Sequence, residues 1–270
     1  MIEVRTGFLI TSRLKSKRLP LKLLKPLRGR TVIDRVIERA KDVKHLSDVV
    51  LCTSANPQDR PLIDIALNND VHYFVGDETD VVRRLVEAAN FFNLDYFLAI
   101  TADNPLFTIS YSNVIADEVK QGCYDFVKLE GLPLGVATYG VRVKAFETIC
   151  RIKPIVDSEF WAYLINKPDI FTIRSITVGD KLNRPDLRLT LDYEEDYELI
   201  SNIYSHVPFE TVLNLYDVVD YLDEHPELSL LNANCVQREL APDIKAEIDR
   251  VYTENKKQIQ TIKRAIYSTA

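Results

Sequence analysis

A chain of 270 residues with a net charge of −6 can bury a substantial core, as one large domain or two small ones, and its acidic balance argues against general binding to nucleic acid or to a membrane surface. Hydrophobic residues make up 46% and charged residues 27%, the mixture of a soluble globular protein, and no apolar run approaches the roughly 20 residues of a membrane span. The four cysteines (Cys52, Cys123, Cys150, Cys235) form no C-x-x-C pair and the four histidines do not cluster, which leaves little basis for a His-based metal site or a Ser-His-Asp triad. The opening MIEVRTGFLI is short for a secretory signal and lacks a cleavage pattern, so reduced thiols and a cytoplasmic protein are expected.

Strand-like and helix-like segments alternate along the first hundred residues. RTGFLIT reads as the first strand, and Thr31–Val43 as a helix with Val32, Ile33, Val36, Ile37 and Ala40 on one face. Asp48–Ser54 is a continuous apolar run, the pattern of a parallel strand buried on both faces. Asp59–Asn69 reads as a helix with Pro61 in its first turn, VHYFVG as a third strand, and Asp80–Phe92 as a helix with Asp80 as N-cap. Asp95–Thr101 is a fourth strand, ending at ADNP. This rhythm predicts a Rossmann-like, mostly parallel sheet flanked by helices.

The middle third is less regular. YDFVKL, VATYGVRV and FTIRSITV read as strands, KAFETICRI and Asp157–Asn166 as helices, and Leu187–Asp192 as a further strand leading into an acidic helix start. Trp161 belongs in the core or at a subunit contact. From about Phe209 the chain reads as helical, giving an expected main unit at 1–208 and a helical C-terminal extension at 209–270 that packs on the main unit or on a partner subunit. The apolar stripe of TVLNLYDVVDYL fits internal packing and a subunit contact equally well.

Thr11–Arg30 carries eight Lys or Arg and no Asp or Glu, directly after the first strand of an acidic protein. Ligands of open α/β sheets bind at the carboxyl ends of the parallel strands. Cations there neutralise a polyphosphate, Arg through forked contacts and Lys as a movable point charge; a solvated basic loop is the plainer alternative. Asp103 ends one buried strand and Asp192 another, and magnesium is usually held by one or two carboxylates plus substrate phosphates. Taken alone, each aspartate also suits a loop cap.

SRLKSKRLPLKLLKPLRGRTVIDRVIERA resembles the opening motif of the cytidylyltransferases that include the CMP-KDO and CMP-sialic acid synthetases, and is most similar to their spore-coat polysaccharide branch. Arg13, Ser16, Arg18, Leu19, Pro20, Lys22, Leu24, Leu27 and Gly29 fall in register, whereas Lys15 and Leu21 stand where the family usually has glycine. VVLCTSANPQDRPLIDIA, FVGDETDVVRRLVEAA, ITADNPL and LRLTLDYEEDYELI resemble four further motifs in the family's order, over about residues 7–204.

The resemblance implies a GT-A-like sheet and a metal-dependent transfer of CMP from CTP to a sugar acid, sugar phosphate or related acceptor, with release of pyrophosphate, for surface polysaccharide or glycoconjugate synthesis. It implies Mg²⁺, or Mn²⁺, on Asp103 and Asp192. Arg13 and Lys22 are expected on the triphosphate, with Asp103 as the third catalytic residue and Arg18 in support. Ser12, Ser16, Thr53, Asp80 and Arg83 are candidates for the rest of the nucleotide pocket, and Asp157 and Glu159 for the acceptor, with helix capping the alternative for the last two. The family is commonly dimeric, so a homodimer is expected. A GT-A glycosyltransferase would normally show D-x-D at a strand end, which ADNPL does not; a non-catalytic nucleotide-binding protein is the other competing class.

Overall fold

The computed structural model describes residues 4–268. In chain order the strands are Thr6–Thr11 (β1), Pro26–Leu27 (β2), Arg30–Thr31 (β3), Asp48–Ser54 (β4), His72–Gly76 (β5), Tyr96–Thr101 (β6), Phe126–Glu130 (β7), Tyr139–Arg142 (β8) and Ile173–Thr177 (β9). The helices are Val32–Lys41 (α1), Pro61–Asn68 (α2), Val81–Phe91 (α3), Ile109–Lys120 (α4), Val143–Ile152 (α5), Trp161–Ile165 (α6), Glu194–His206 (α7), Leu215–Glu224 (α8), Pro242–Glu254 (α9) and Lys256–Ser268 (α10). Seven strands form one sheet in the order β5-β4-β1-β6-β8-β7-β9. The strands β5, β4, β1 and β6 are mutually parallel, β8 runs against both its neighbours, and β7 and β9 are parallel. The carboxyl ends of four parallel strands therefore share one rim, where ligands of open α/β sheets bind.

Side-chain alternation divides the core into two layers. Phe8, Ile10, Leu98 and Ile100 face α1, α2, α4, α7 and α8. Leu9, Phe97 and Ala99 face α3, α5, α6, α9 and α10. Helix α1 buries the five apolar residues that its spacing predicts, all at 0% exposure, and starts at a capping box of Thr31 and Asp34. Pro61 opens α2 and the Asp80 carboxylate caps α3 through the Arg83 N–H, both as expected. Trp161 is a core residue, edge-on to Phe126, Tyr139 and Phe146. The apolar stripe of α8 (Leu215, Val218, Val219, Leu222) is buried within the chain, so it does not argue for a subunit contact. The helices after residue 209 are tied to the sheet layer: Lys263 Nζ and Tyr267 Oη meet the buried Asp125 carboxylate at 2.5 and 2.6 Å. No described helix is long and apolar enough to cross a membrane.

Several segments depart from their sequence reading. The predicted strand Leu187–Asp192 forms only one parallel bridge, Leu134 to Arg188. Its would-be partner cannot continue a ladder: Pro133 has no N–H, and Gly131 and Gly135 turn through positive φ of 96° and 95°. Likewise VATYGVRV becomes regular strand only from Tyr139. The helix predicted from Asp157 starts at Trp161, because Asp157 accepts from the Glu159 N–H and Ser158 Oγ is drawn to Asp80. The helix predicted from Asp59 starts at Pro61, after a separate 3-10 turn at Pro57–Asp59.

Gly135 fixes the path of the chain toward Asp192. A Cβ there would lie 2.6 Å from the Thr190 nitrogen and 2.7 Å from its Cα, which are backbone atoms that cannot swing away. Gly135→Ala combines that clash with left-handed strain, and an expected loss of about 2 kcal/mol or more is measurable by urea unfolding. Unchanged stability would show that the bridge to Arg188 is not a fixed point of the fold.

Candidate active site

The cationic loop leaves β1 at Ser12 and is pinned from below. Leu14 and Leu19 are buried, and the Leu14 N–H donates to Asp59 Oδ1 at 2.6 Å. Asp59 also accepts from Ser54 Oγ at the end of β4. The loop therefore rests on a buried carboxylate that sequence reading did not select. Further on, Leu21 has φ 52°, a left-handed conformation that favours glycine. Lys15, the other residue that stands where the family usually has glycine, is not among the positive-φ residues. Arg28 and Gly29, at φ 46° and 80°, turn the small hairpin between β2 and β3.

Four of the predicted residues converge at the rim. Lys22 Nζ lies 2.5 Å from Asp103 Oδ2, 2.8 Å from Asp192 Oδ1 and 2.8 Å from the Leu191 carbonyl oxygen. Arg18 also reaches Asp192 Oδ1 at 2.8 Å and lies over the Tyr193 ring. Asp103 is placed by the end of β6 and accepts from Thr101 Oγ1 at 2.5 Å. Asp192 is brought beside it by the Leu191 N–H, which donates to the Asp103 carbonyl. Burial alone would push the Asp103 carboxyl up; the Lys22 ammonium outweighs it and holds the group below the usual carboxylate range. For Lys22, burial would lower the pKa, and the two aspartates reverse it and raise it.

In the outer support, Arg188 and Asn232 were not selected from the sequence, whereas Asp196 was a candidate for the helix start and for a supporting role. Arg188 makes a forked contact to Asp196 at 2.8 and 3.0 Å and reaches Asp192 Oδ2 at 3.4 Å. Asp196 is fully buried and accepts from the backbone N–H groups of Asp192 and Tyr193. It thus serves the start of α7, as the acidic run suggests, and also fixes Asp192. Asn232 Nδ2 closes this network on Asp196 Oδ1 at 2.8 Å. Beyond it, Tyr193 Oη donates to the Val236 carbonyl, Arg188 donates to Gln237 Oε1, and Arg238 pairs with Glu159 at 2.9 Å. The segment from Asn232 to Arg238 therefore touches both sides of the rim.

The remaining predicted residues lie apart from this cluster. Arg13 pairs with Glu159 Oε1 at 2.9 Å, so one carboxylate joins the cationic loop to Arg238. Ser16 Oγ accepts from the Leu19 N–H within the loop. Ser12 and Thr53 are buried beneath the loop, and Thr53 Oγ1 has no hydrogen-bond partner. Both oxygens of Asp80 are engaged, by Ser158 Oγ and the Arg83 N–H and by Lys153 Nζ. Asp157 is exposed and caps the turn before α6. Arg83 points outward and pairs with Glu87. Its neighbour Arg84 is the buried one, at 1% exposure, with Nε and Nη1 unpartnered and its pKa lowered by desolvation. The signal for Arg84 was in the sequence: in FVGDETDVVRRLVEAA it, not Arg83, shares the helical face of Val81, Leu85 and Ala88.

Comparisons with known proteins agree with this architecture. The family model described as cytidylyltransferase matches residues 8–206. The spore coat polysaccharide biosynthesis protein SpsF of Bacillus subtilis is 24% identical over 227 residues, covering 82% of this chain and 95% of that protein. A cytidylyltransferase structure from Leptospira borgpetersenii superposes with a TM-score of 0.78 at 23% identity, over 87% of this chain and 100% of that one. CMP:2-keto-3-deoxy-manno-octonic acid synthetase complexed with CTP has a TM-score of 0.59 at 15% identity, over 74% and 98% of the two chains.

The depressed Asp103 pKa carries a pH signature. A carboxyl whose folded pKa lies below its unfolded value of about 3.9 stabilises above that value and loses the contribution as pH falls through the folded pKa. The urea midpoint of the parent should therefore converge on that of Asp103→Asn between about pH 5 and pH 2. A midpoint difference that stays constant across that range would rule out a charge-based contact with Lys22.

Proposed function

Because the chain belongs to the cytidylyltransferase family and is a nucleotidyltransferase, we propose that it transfers CMP from CTP to a small acceptor, a sugar acid, sugar phosphate or related compound, and releases pyrophosphate. The observation that carries this reading is the meeting of Arg18, Lys22, Asp103 and Asp192 at the carboxyl rim of the sheet. The printed role of SpsF in spore coat polysaccharide synthesis supports an acceptor destined for a surface polymer.

An oxygen of the acceptor attacks the α-phosphorus, the bond from that phosphorus to the bridging oxygen breaks, and pyrophosphate leaves. Charge accumulates on phosphoryl oxygens, so preorganised cations supply most of the stabilisation and no side-chain nucleophile is needed. Arg18 gives a forked contact and Lys22 a point charge, with Arg13 adding a further guanidinium from the same loop. The donor set at the rim suits a divalent cation: two carboxylates offer hard oxygens to one shared cation, the Lys22 ammonium. Asp103 and Asp192 would hold Mg²⁺ or Mn²⁺, which when bound polarises phosphoryl oxygens and neutralises the charge of the leaving group. Ser12, Ser16, Thr53, Asp80 and Arg84 form the ground beneath the nucleotide, and Glu159, held between Arg13 and Arg238, faces the acceptor side. We read residues 1–208 as the catalytic unit. The extension from 209 onward packs α8 against the layer of α1 and α7 and packs α9 and α10 against the layer of α3 and α5, and it sends Asn232–Arg238 to the rim.

The test is pyrophosphate release with CTP, ATP, GTP and UTP in the presence of Mg²⁺, against a panel of sugar acids, sugar phosphates and phosphonates. Release with CTP and one acceptor class is expected, with Asp103→Ala abolishing it and Arg18→Ala lowering kcat by about 10²-fold. CTP consumption without pyrophosphate, or failure of CTP to bind by calorimetry, would overturn the reading.

A further inference from the structure

The ammonium of Lys22 has three N–H donors and three acceptors within 2.8 Å: Asp103 Oδ2, Asp192 Oδ1 and the Leu191 carbonyl. None is left for a phosphate. The two carboxylate oxygens that face each other across the rim converge on that one nitrogen, and the side chain is only 11% exposed. A metal ion held by both oxygens at about 2.0–2.1 Å would occupy the place the ammonium now fills. Lysine and metal are therefore mutually exclusive at this point.

The local charges favour the lysine in the free protein. Lys22, Arg18 and Arg188 stand against Asp103, Asp192 and Asp196, so the cluster is already neutral. A divalent ion entering without an anion would have to expel the ammonium into an arginine-rich rim. A triphosphate changes that balance, because it brings several negative charges to the same rim and offers the ammonium new acceptors.

We propose that Lys22 is a built-in stand-in for the catalytic metal, which keeps divalent cations off Asp103 and Asp192 until a nucleoside triphosphate draws its ammonium away. Metal and nucleotide then bind with positive coupling, and the coupling is reciprocal: each raises the affinity for the other by the same factor. This inference rests on the nucleotidyltransferase reading above, since the triphosphate is the agent that moves the lysine. It makes Lys22 an element of binding order in addition to a phosphate contact.

The experiment is Mn²⁺ binding followed by electron paramagnetic resonance, without nucleotide and with CTP, on the parent and on Lys22→Met. The parent should bind Mn²⁺ weakly alone and about tenfold or more tightly with CTP. Lys22→Met should bind Mn²⁺ alone at least about tenfold more tightly than the parent does, and adding Asp103→Asn to it should remove the gain. Because the variant leaves two carboxylates facing each other, its melting temperature is measured alongside: Mn²⁺ alone should raise it in Lys22→Met and in Lys22→Gln but not in the parent. Equal Mn²⁺ affinity of parent and Lys22→Met without nucleotide would overturn the proposal, as would a gain that survives Asp103→Asn. Equilibrium dialysis of CTP with the parent separates the two levels. CTP binding with no gain in the variants sinks this inference alone, whereas absence of CTP binding sinks the functional reading and this inference with it.

Discussion

Two ionised carboxylates in a half-enclosed site repel each other unless a cation stands between them, and much of the rim is arranged to supply that cation. Asp103 arrives on β6 and Asp192 on a segment with only one bridge to its neighbour, yet both reach the same ammonium. Lys22 is delivered by a loop whose backbone passes through a left-handed leucine and whose underside is held by Asp59. Arg188, Asp196 and Asn232 then hold Asp192 from behind. Removing one cation would leave uncompensated charge, while removing one carboxylate would leave an ammonium poorly solvated. The cluster therefore behaves as a unit, and the contributions of its members to stability will not add.

The same arrangement explains why an acidic protein concentrates cations after its first strand. The parallel sheet brings the ends of β1, β4, β5 and β6 to one rim. The loop after β1 is central in that rim, so its charges reach the carboxylates beyond β6 on one side and Glu78 and Glu159 on the other. Arg13, Lys15, Arg18, Lys22 and Lys25 each have an acidic partner. In the proposed reaction a triphosphate would compete for cations that are already paired, which favours exchange of partners over simple neutralisation.

The extension beyond the matched residues contributes in two distinct ways. Its helices α9 and α10 complete the layer that includes α3 and α5, with Asp125 as the buried point of attachment. Its linking segment places Val236, Gln237 and Arg238 against Tyr193, Arg188 and Glu159. These residues lie beyond the family model's match, which ends at residue 206.

The sequence determined the sheet type, the sites of α1 and α3 and the identity of the cationic loop, because these depend on local periodicity, caps and charge contrast. It also selected Asp103, Asp192, Lys22 and Arg18, because the order of the family-like motifs and the local charge contrast single them out. Tertiary structure alone decided that Leu187–Asp192 is not a strand, since Pro133 and the positive-φ glycines remove its partner. It decided that Lys22 fills the space between the carboxylates, and that Glu159 joins Arg13 to Arg238, which stands 79 positions after that glutamate. Helical period and charge run along the chain and can be read there; the pairing of a long, flexible cation with one of several acids depends on distances that exist only after the strands have met.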